Sequence, residues 1–461
     1  MAGVKEFCGV LSLLPAGPGK LGPDHSGTGG GPVVPPRSAS PVPAQRAAGV
    51  RRAPAAAAWE RLTGWTTRPL ASFHLVLALA GILTVVGVVM VSSASSVASY
   101  DPRTPGQGGL FGKHLTYVAL GAGVFWLGLR VPLATIRRWS GGAMIVSLGM
   151  LLLVLTPLGS DGGGAQRWFV VAGQSVQPIE FAKLSLALWG AHVLVAKDRL
   201  LHRWRHLLVP VVPVTLLMFA LVMAQPNLSG TITLGIIMLG LLWFAGMPAR
   251  LFTALVLGAA AGFTVLALSA GYRQARVLSF LSSAPDSGSG SYQTTQASYA
   301  LADGGVFGRG LGQGSSNWGY LPGVANDFIF ALIGEELGFV GGVAVLALYA
   351  GVAVVGMRIA RRTADPWIRI VAGTLTLLVV GQAAINVGYV VGLLPVTGVT
   401  LPLISYGGSS LLVTMLVFGI LANCARHEPE AVAALREQGL RSPIRKKRTL
   451  VSYFPAGFRR S

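Results

Sequence analysis

Apolar residues in this chain gather into long unbroken runs separated by short polar or basic joints. Runs near 73 to 92, 114 to 129, 141 to 159, 177 to 196, 207 to 224, 231 to 247, 251 to 270, 328 to 357, 367 to 393 and 402 to 424 approach or exceed the roughly 20 residues that cross a bilayer core. Continuous apolarity does not by itself separate helix from strand. In lipid, however, each segment must satisfy its own backbone hydrogen bonds, so spans of this length are helical, whereas a membrane β-barrel would show short alternating segments. The pattern predicts an all-α polytopic membrane protein of about ten transmembrane helices, with a long polar extracytoplasmic loop, residues 271 to 326, between helices 7 and 8.

Composition agrees: 52% of the 461 residues are hydrophobic and 11% are charged, which excludes an ordinary soluble domain. With the amino terminus inside, the inner loops carry Arg130, Arg137 and Arg138, then Lys197, Arg199, Arg203 and Arg205, then Arg250, then Arg358, Arg361 and Arg362. The outer segments are poorer in Lys and Arg for their length, so the positive-inside rule expects both termini in the cytoplasm. The net charge of +20 is read as orientation and attraction to anionic lipid rather than nucleic-acid binding. Residues 1–70, rich in Pro, Gly and Ala and without the apolar core of a cleavable signal peptide, are expected to be a disordered cytoplasmic tail. The membrane domain is expected over 71–425. Residues 426–461 form a basic cytoplasmic tail whose Arg445, Lys446, Lys447, Arg448, Arg459 and Arg460 could meet an acidic partner. Two cysteines, Cys8 and Cys424, supply neither a disulfide framework nor a metal cluster.

Against this background an acid at the edge of a span is a functional candidate, because an ionised carboxylate in hydrocarbon costs several kcal/mol. Asp327 stands where the long polar segment meets an apolar helix. A second cluster holds Arg167 and then Gln177, Pro178, Glu180 and Lys183. Pro178 suits a first helical turn, Glu180 complements the helix dipole, and Lys183, three residues on, shares its face. Two readings stand: a structural ion pair, or a cation held for an anionic ligand group. Glu335 and Glu336, about 12 Å deeper on a continuous helix, read as structural groups more readily than as a proton relay. In the loop, GSGSYQTTQ, with Gln293 and Gln296, and the glycine run GGVFGRGLGQG suit a polar, hydroxyl-rich ligand or a mobile turn-rich loop. Arg273, Arg276 and Arg309 could clamp phosphate, and Trp318 and Tyr320 suit an interfacial aromatic belt. From Asn386 through Ser405 and Ser409, proline and glycine are dense enough to break a helix, so a polar cavity is expected beside the last two spans.

At these clusters the chain resembles the SEDS family of bacterial cell-wall proteins, which includes FtsW and RodA, over roughly residues 72 to 430. The motifs are GGVFGRGLGQG followed by YLPGVANDFIFALIGEELG, and NVGYVVGLLPVTGVTLPLISYGGSS. The segment ARHEPEAVAALR is similar to the actinobacterial division branch, FtsW. The resemblance implies a peptidoglycan glycosyltransferase that polymerises lipid II outside the plasma membrane, at the division septum, with a class B penicillin-binding protein as cross-linking partner and further divisome contacts. It implies that Asp327 is the essential acid and gives weight to Glu180, Lys183 and Arg167. Ala325 stands where relatives commonly have a histidine, and Asn227 where they have an aspartate. The expected mechanism is a single inverting displacement with Asp327 as general base. Lys183, Arg167 and the loop arginines would steady the leaving diphosphate, and a divalent cation, Mg or Mn, could assist, although the sequence shows no recognisable cage for one. The alternatives are a lipid II flippase, an elongation-type polymerase, or a scaffold without chemistry.

Overall fold

The computed structural model describes residues 68–96, 109–161, 166–171, 174–200, 204–268, 290–318, 321 and 323–437. Among the described residues, ten long helices fall on the ten apolar runs: α1 (Ala71–Ser96), α2 (Leu110–Arg130), α3 (Leu133–Leu153), α4 (Pro178–Ala196), α5 (Trp204–Ala224), α6 (Leu228–Phe244), α7 (Ala249–Leu268), then, after the shorter α8 (Gly290–Gly304), α9 (Ile329–Arg362), α10 (Pro366–Val390) and α11 (Gly408–Ala425). A last short helix, α12 (Pro429–Glu437), follows. Seven of them, α1, α2, α4, α5, α9, α10 and α11, are long and apolar enough to cross a membrane. α6 has 17 residues, α7 is apolar over Ala249–Gly262, and α3 carries Arg137 and Arg138 near its start.

Local chemistry sets the boundaries. Pro178 and Pro366 open α4 and α10, where a missing N–H costs nothing. Asp365 accepts from Trp367 N at 2.8 Å, and Asn227 accepts from Gly230 N at 2.9 Å, each side chain satisfying an orphan donor of the helix it precedes. The orphan carbonyls at the end of α2 are met from another helix: Asn423 Nδ2 donates to Gly128 O and Val131 O at 3.1 and 2.8 Å.

α4, α10 and α11 are the most buried helices. α11 lies along α2, α9 against α10 and α1, and α3 against α4. Small residues bring the backbones together, as helices in lipid require. A Cβ on Gly419 would stand 2.3 Å from Phe125 O, and one on Gly128 3.1 Å from Leu416 O. α7 packs against α6 and buries little of its own surface.

Four features depart from, or add to, the hydrophobic pattern. A three-stranded antiparallel meander, β1 (Ser160–Asp161), β2 (Gln166–Val171) and β3 (Gln174–Val176), joins α3 to α4, with Phe169 opposite Val176. The described part of the 271–326 segment contains α8 and a 3-10 turn, Ser315–Trp318. α9 breaks at Gly338, where φ is +70°, so Glu335 and Glu336 do not continue one straight helix to its far end. Residues 391–407 are irregular, and the last span begins at Gly408 rather than at 402. Residues 1–67 and 438–461, which hold most of both expected tails, lie outside the described residues.

Candidate active site

The turn 323–328, just before α9, presents Asp327, and α10 holds that turn in place. Asn386 Nδ2 donates to Asp327 O at 2.8 Å and to Val399 O at 2.7 Å, and the Tyr389 hydroxyl reaches the same two carbonyls at 2.8 and 2.7 Å. Tyr389 also stands edge-on to Phe328, with ring centroids 5.6 Å apart. Tyr406 N donates to Ala325 O at 2.9 Å. The aspartate turn and the irregular 391–407 segment are thus stapled together, and buried backbone polar groups that no helix pairs find partners. The half-buried Asp327 side chain opens on a cavity of about 620 Å³. Gly398 forms part of its rim. With φ of +75° and space for a Cβ only 3.2 Å from Asp327 Oδ2, that position calls for glycine.

Among the described residues, three basic side chains line the same cavity: Lys113, Arg167 and Lys183. Lys183 Nζ lies 2.7 Å from Glu180 Oε2, both groups almost wholly buried. A buried pair costs desolvation that its attraction only partly returns, so its place in a cavity wall favours the ligand-facing reading over the purely structural one. Arg167, carried on β2, donates from Nε to Gln225 O at 3.0 Å and from Nη2 to Pro226 O, which fixes its guanidinium at the start of α6. Lys113, exposed in the first turn of α2, is the cation that sequence reasoning missed. One signal was present: a lysine at a helix amino terminus opposes the helix dipole.

Hydroxyl and amide groups complete the walls. Ser409 Oγ accepts from Gln177 N at 3.0 Å, tying the starts of α11 and α4 together. The Tyr117 hydroxyl donates to Gln174 Oε1. Burial, and next the neighbouring Tyr117, push the Tyr406 phenol above its ordinary value. Asn227 also lines the cavity while capping α6. A neutral amide caps as an aspartate does, so the departure at this position leaves the local fold intact.

The other sequence candidates lie elsewhere. Asn386 and Ser405 do not line the cavity; Ser405 Oγ accepts from Leu401 N at 2.8 Å, and both residues are buried supports of the 391–407 segment. Gln293 sits half-buried on α8. Gln296 lines a separate hollow of about 380 Å³ with Tyr299, Asp303, Ser315 and Ser316. Arg309 is exposed and paired with Asp303 at 3.2 Å, away from the cavity. Arg273, Arg276, Tyr320 and the Trp318 side chain lie outside the described residues. Among the described residues, no three of His, Cys, Asp and Glu come together as metal ligands. The acids that line the cavity are Asp327 and the Lys183-bound Glu180.

The FtsW/RodA/SpoVE family of cell cycle proteins matches residues 73–430, and the chain belongs to that family. It is 48% identical over 377 residues to the probable peptidoglycan glycosyltransferase FtsW of Mycobacterium tuberculosis, covering 82% of this chain and 72% of that protein. It is 35% identical over 364 residues to stage V sporulation protein E of Bacillus subtilis, covering 78% of this chain and 99% of that one. Its fold matches a chain from the structure of a peptidoglycan synthase complex that coordinates polymerization and crosslinking, with a TM-score of 0.64 and 27% identity over 77% of this chain and 97% of that one. The protein is a helical, multi-pass membrane protein, as its apolar pattern predicts.

Proposed function

We propose, for this member of the FtsW/RodA/SpoVE family, that the cavity polymerises lipid II into glycan strands, making the protein a peptidoglycan glycosyltransferase of the division branch. The observation that carries the mechanism is the Asp327 carboxylate. Its turn is held by Asn386 and Tyr389 through the Asp327 backbone carbonyl, and the side chain, only half-buried, opens on a polar cavity that also presents Lys113, Arg167 and Lys183.

In the reaction the C4 hydroxyl of the acceptor sugar attacks the anomeric carbon of the donor. The new glycosidic bond forms as the bond to the lipid diphosphate breaks on the opposite face, inverting the centre. Asp327 takes the hydroxyl proton, which needs one placed carboxylate and no covalent intermediate. The departing diphosphate is already anionic, so cations rather than an acid stabilise it. Lys183 and Arg167 are held by their own partners, and Lys113 adds a third charge at the α2 end. The substrate's lipid tail, held among the helices, confines the sugar near the membrane surface and lowers the entropy of alignment.

The cavity lies at helix ends: Asp327 precedes α9, and Glu180 and Lys183 fall in the first two turns of α4. A transporter places its ionisable groups near the midplane, so this placement supports the polymerase over the flippase. The proposed orientation puts the cavity outside and both termini in the cytoplasm, following the basic loops. A class B penicillin-binding protein would receive the strand for cross-linking at the septum, and the basic residues 445–460 would meet divisome proteins. Purified protein incubated with fluorescent lipid II, with and without that partner, tests the reading. Asp327→Asn should keep its fold and bind the lipid but make no polymer; retained polymerisation would discard the assignment.

A further inference from the structure

The glycine run that suggests a ligand loop does something else in the fold: residues 304–312 seat themselves in the break of α9. Arg309 N donates to Glu335 O and Gly310 N to Glu336 O, both at 3.0 Å. In return Phe339 N donates to Gly305 O at 2.9 Å and Val340 N to Val306 O at 3.2 Å. Glycine makes the approach possible, since a Cβ on Gly338 would stand 2.3 Å from Gly308 N and one on Gly308 2.1 Å from Glu336 O. The backbone polar groups freed by the break are therefore satisfied. The loop side chains point the other way. Phe307 is 83% exposed and Phe339 69%, with Val306, Leu311 and Val340 exposed beside them.

That apolar patch continues into the exposed row Val343, Leu346 and Val354 of α9, a helix long enough to cross the bilayer. The far end of α9 carries Arg358, Arg361 and Arg362. From Arg358 back to Phe339 the helix rises roughly 29 Å, close to the roughly 30 Å of a hydrocarbon core. With the arginines at one boundary, Phe339 and the Val306–Phe307 tip bonded to it reach the other. We infer that loop 304–312 is a re-entrant membrane anchor, its Val306, Phe307 and Leu311 side chains seated among acyl chains at that boundary. Irregular backbone at such depth needs its polar groups met within the protein, and Gly305, Val306, Arg309 and Gly310 pair theirs with α9. Arg309, paired with Asp303, reaches back toward the headgroups.

The test is a spin label on Phe307→Cys, and separately on Leu311→Cys, in the full chain carrying Cys8→Ser and Cys424→Ala. The protein is reconstituted alone in phosphatidylethanolamine and phosphatidylglycerol vesicles. Collision with oxygen should exceed collision with a water-soluble nickel chelate several-fold at both sites, as at a Val354→Cys control, and the reverse should hold at Asp303→Cys. Nickel access at Phe307 and Leu311 equal to that at Asp303 overturns the anchor. Shielding from both reagents, the sign of a protein surface covering the patch, overturns it as well. Both labelled positions are exposed and outside the cavity, so polymerisation of lipid II by the same preparations reports separately on the catalytic reading.

Discussion

Two buried glutamates, Glu180 and Glu335, meet their charge in opposite ways. Glu180 is held by Lys183 at 2.7 Å in a cavity wall. Glu335 is held by the 3-10 turn beneath the glycine loop: it accepts from Ser315 N at 2.6 Å, Ser315 Oγ at 2.7 Å and Ser316 N at 3.3 Å. Its neighbour Glu336 accepts from Ser93 Oγ on α1 at 2.6 Å. Backbone donors are fixed and serve one acceptor geometry, so Glu335 is a cap that locks a turn to a broken helix. A lysine on a flexible stem in a cavity wall can turn part of its charge to an incoming anion. The kind of partner, more than the depth of burial, separates the acid that caps a turn from the acid that is ion-paired in the cavity wall.

This contrast can be broken at several points. Asp327→Asn should lower polymer formation by about 10²- to 10⁴-fold, the span of a lost general base, with thermal unfolding in detergent unchanged. Lys183→Met leaves Glu180 buried and unpaired, a loss of about 3–5 kcal/mol. The double variant Glu180→Gln with Lys183→Met should recover most of that stability while remaining slow, and recovery of turnover in the double variant would make the pair purely structural. Glu335→Ala should cost about 1–3 kcal/mol through donors left unsatisfied, read as a lower unfolding temperature, with the residual folded fraction still turning over substrate. Gly398→Ala forces a side chain into the left-handed region at a cost of about 1–2 kcal/mol and crowds Asp327 Oδ2, so kcat should fall more than KM rises. Arg309→Gln removes an exposed pair, each side chain 43% accessible, and should shift stability by less than about 1 kcal/mol.

The ten helices were legible because lipid allows so few backbone solutions that a long apolar run is enough to announce one. Asp327 and the Glu180 and Lys183 pair were legible because charge is costly where it is placed. Arg309 was misplaced because a guanidinium beside glycines looks alike whether it faces a ligand or a neighbouring Asp303. Asn386 and Ser405 are polar residues in the right motif, yet their hydrogen bonds turn inward. Lys113 and Gln174 were passed over because each reaches the cavity only when α2 and the meander close on the starts of α4 and α11.

By itself, then, the sequence determined that this is a multi-pass helical protein and where its costly charges stand, since both follow from transfer free energies that act residue by residue. Which of those charges share a cavity, and which merely cap a turn, was decided by tertiary structure alone. A hydrogen bond between Asn386 and the Asp327 carbonyl, or a glycine loop filling a break in α9, depends on distances across the chain that no local pattern encodes.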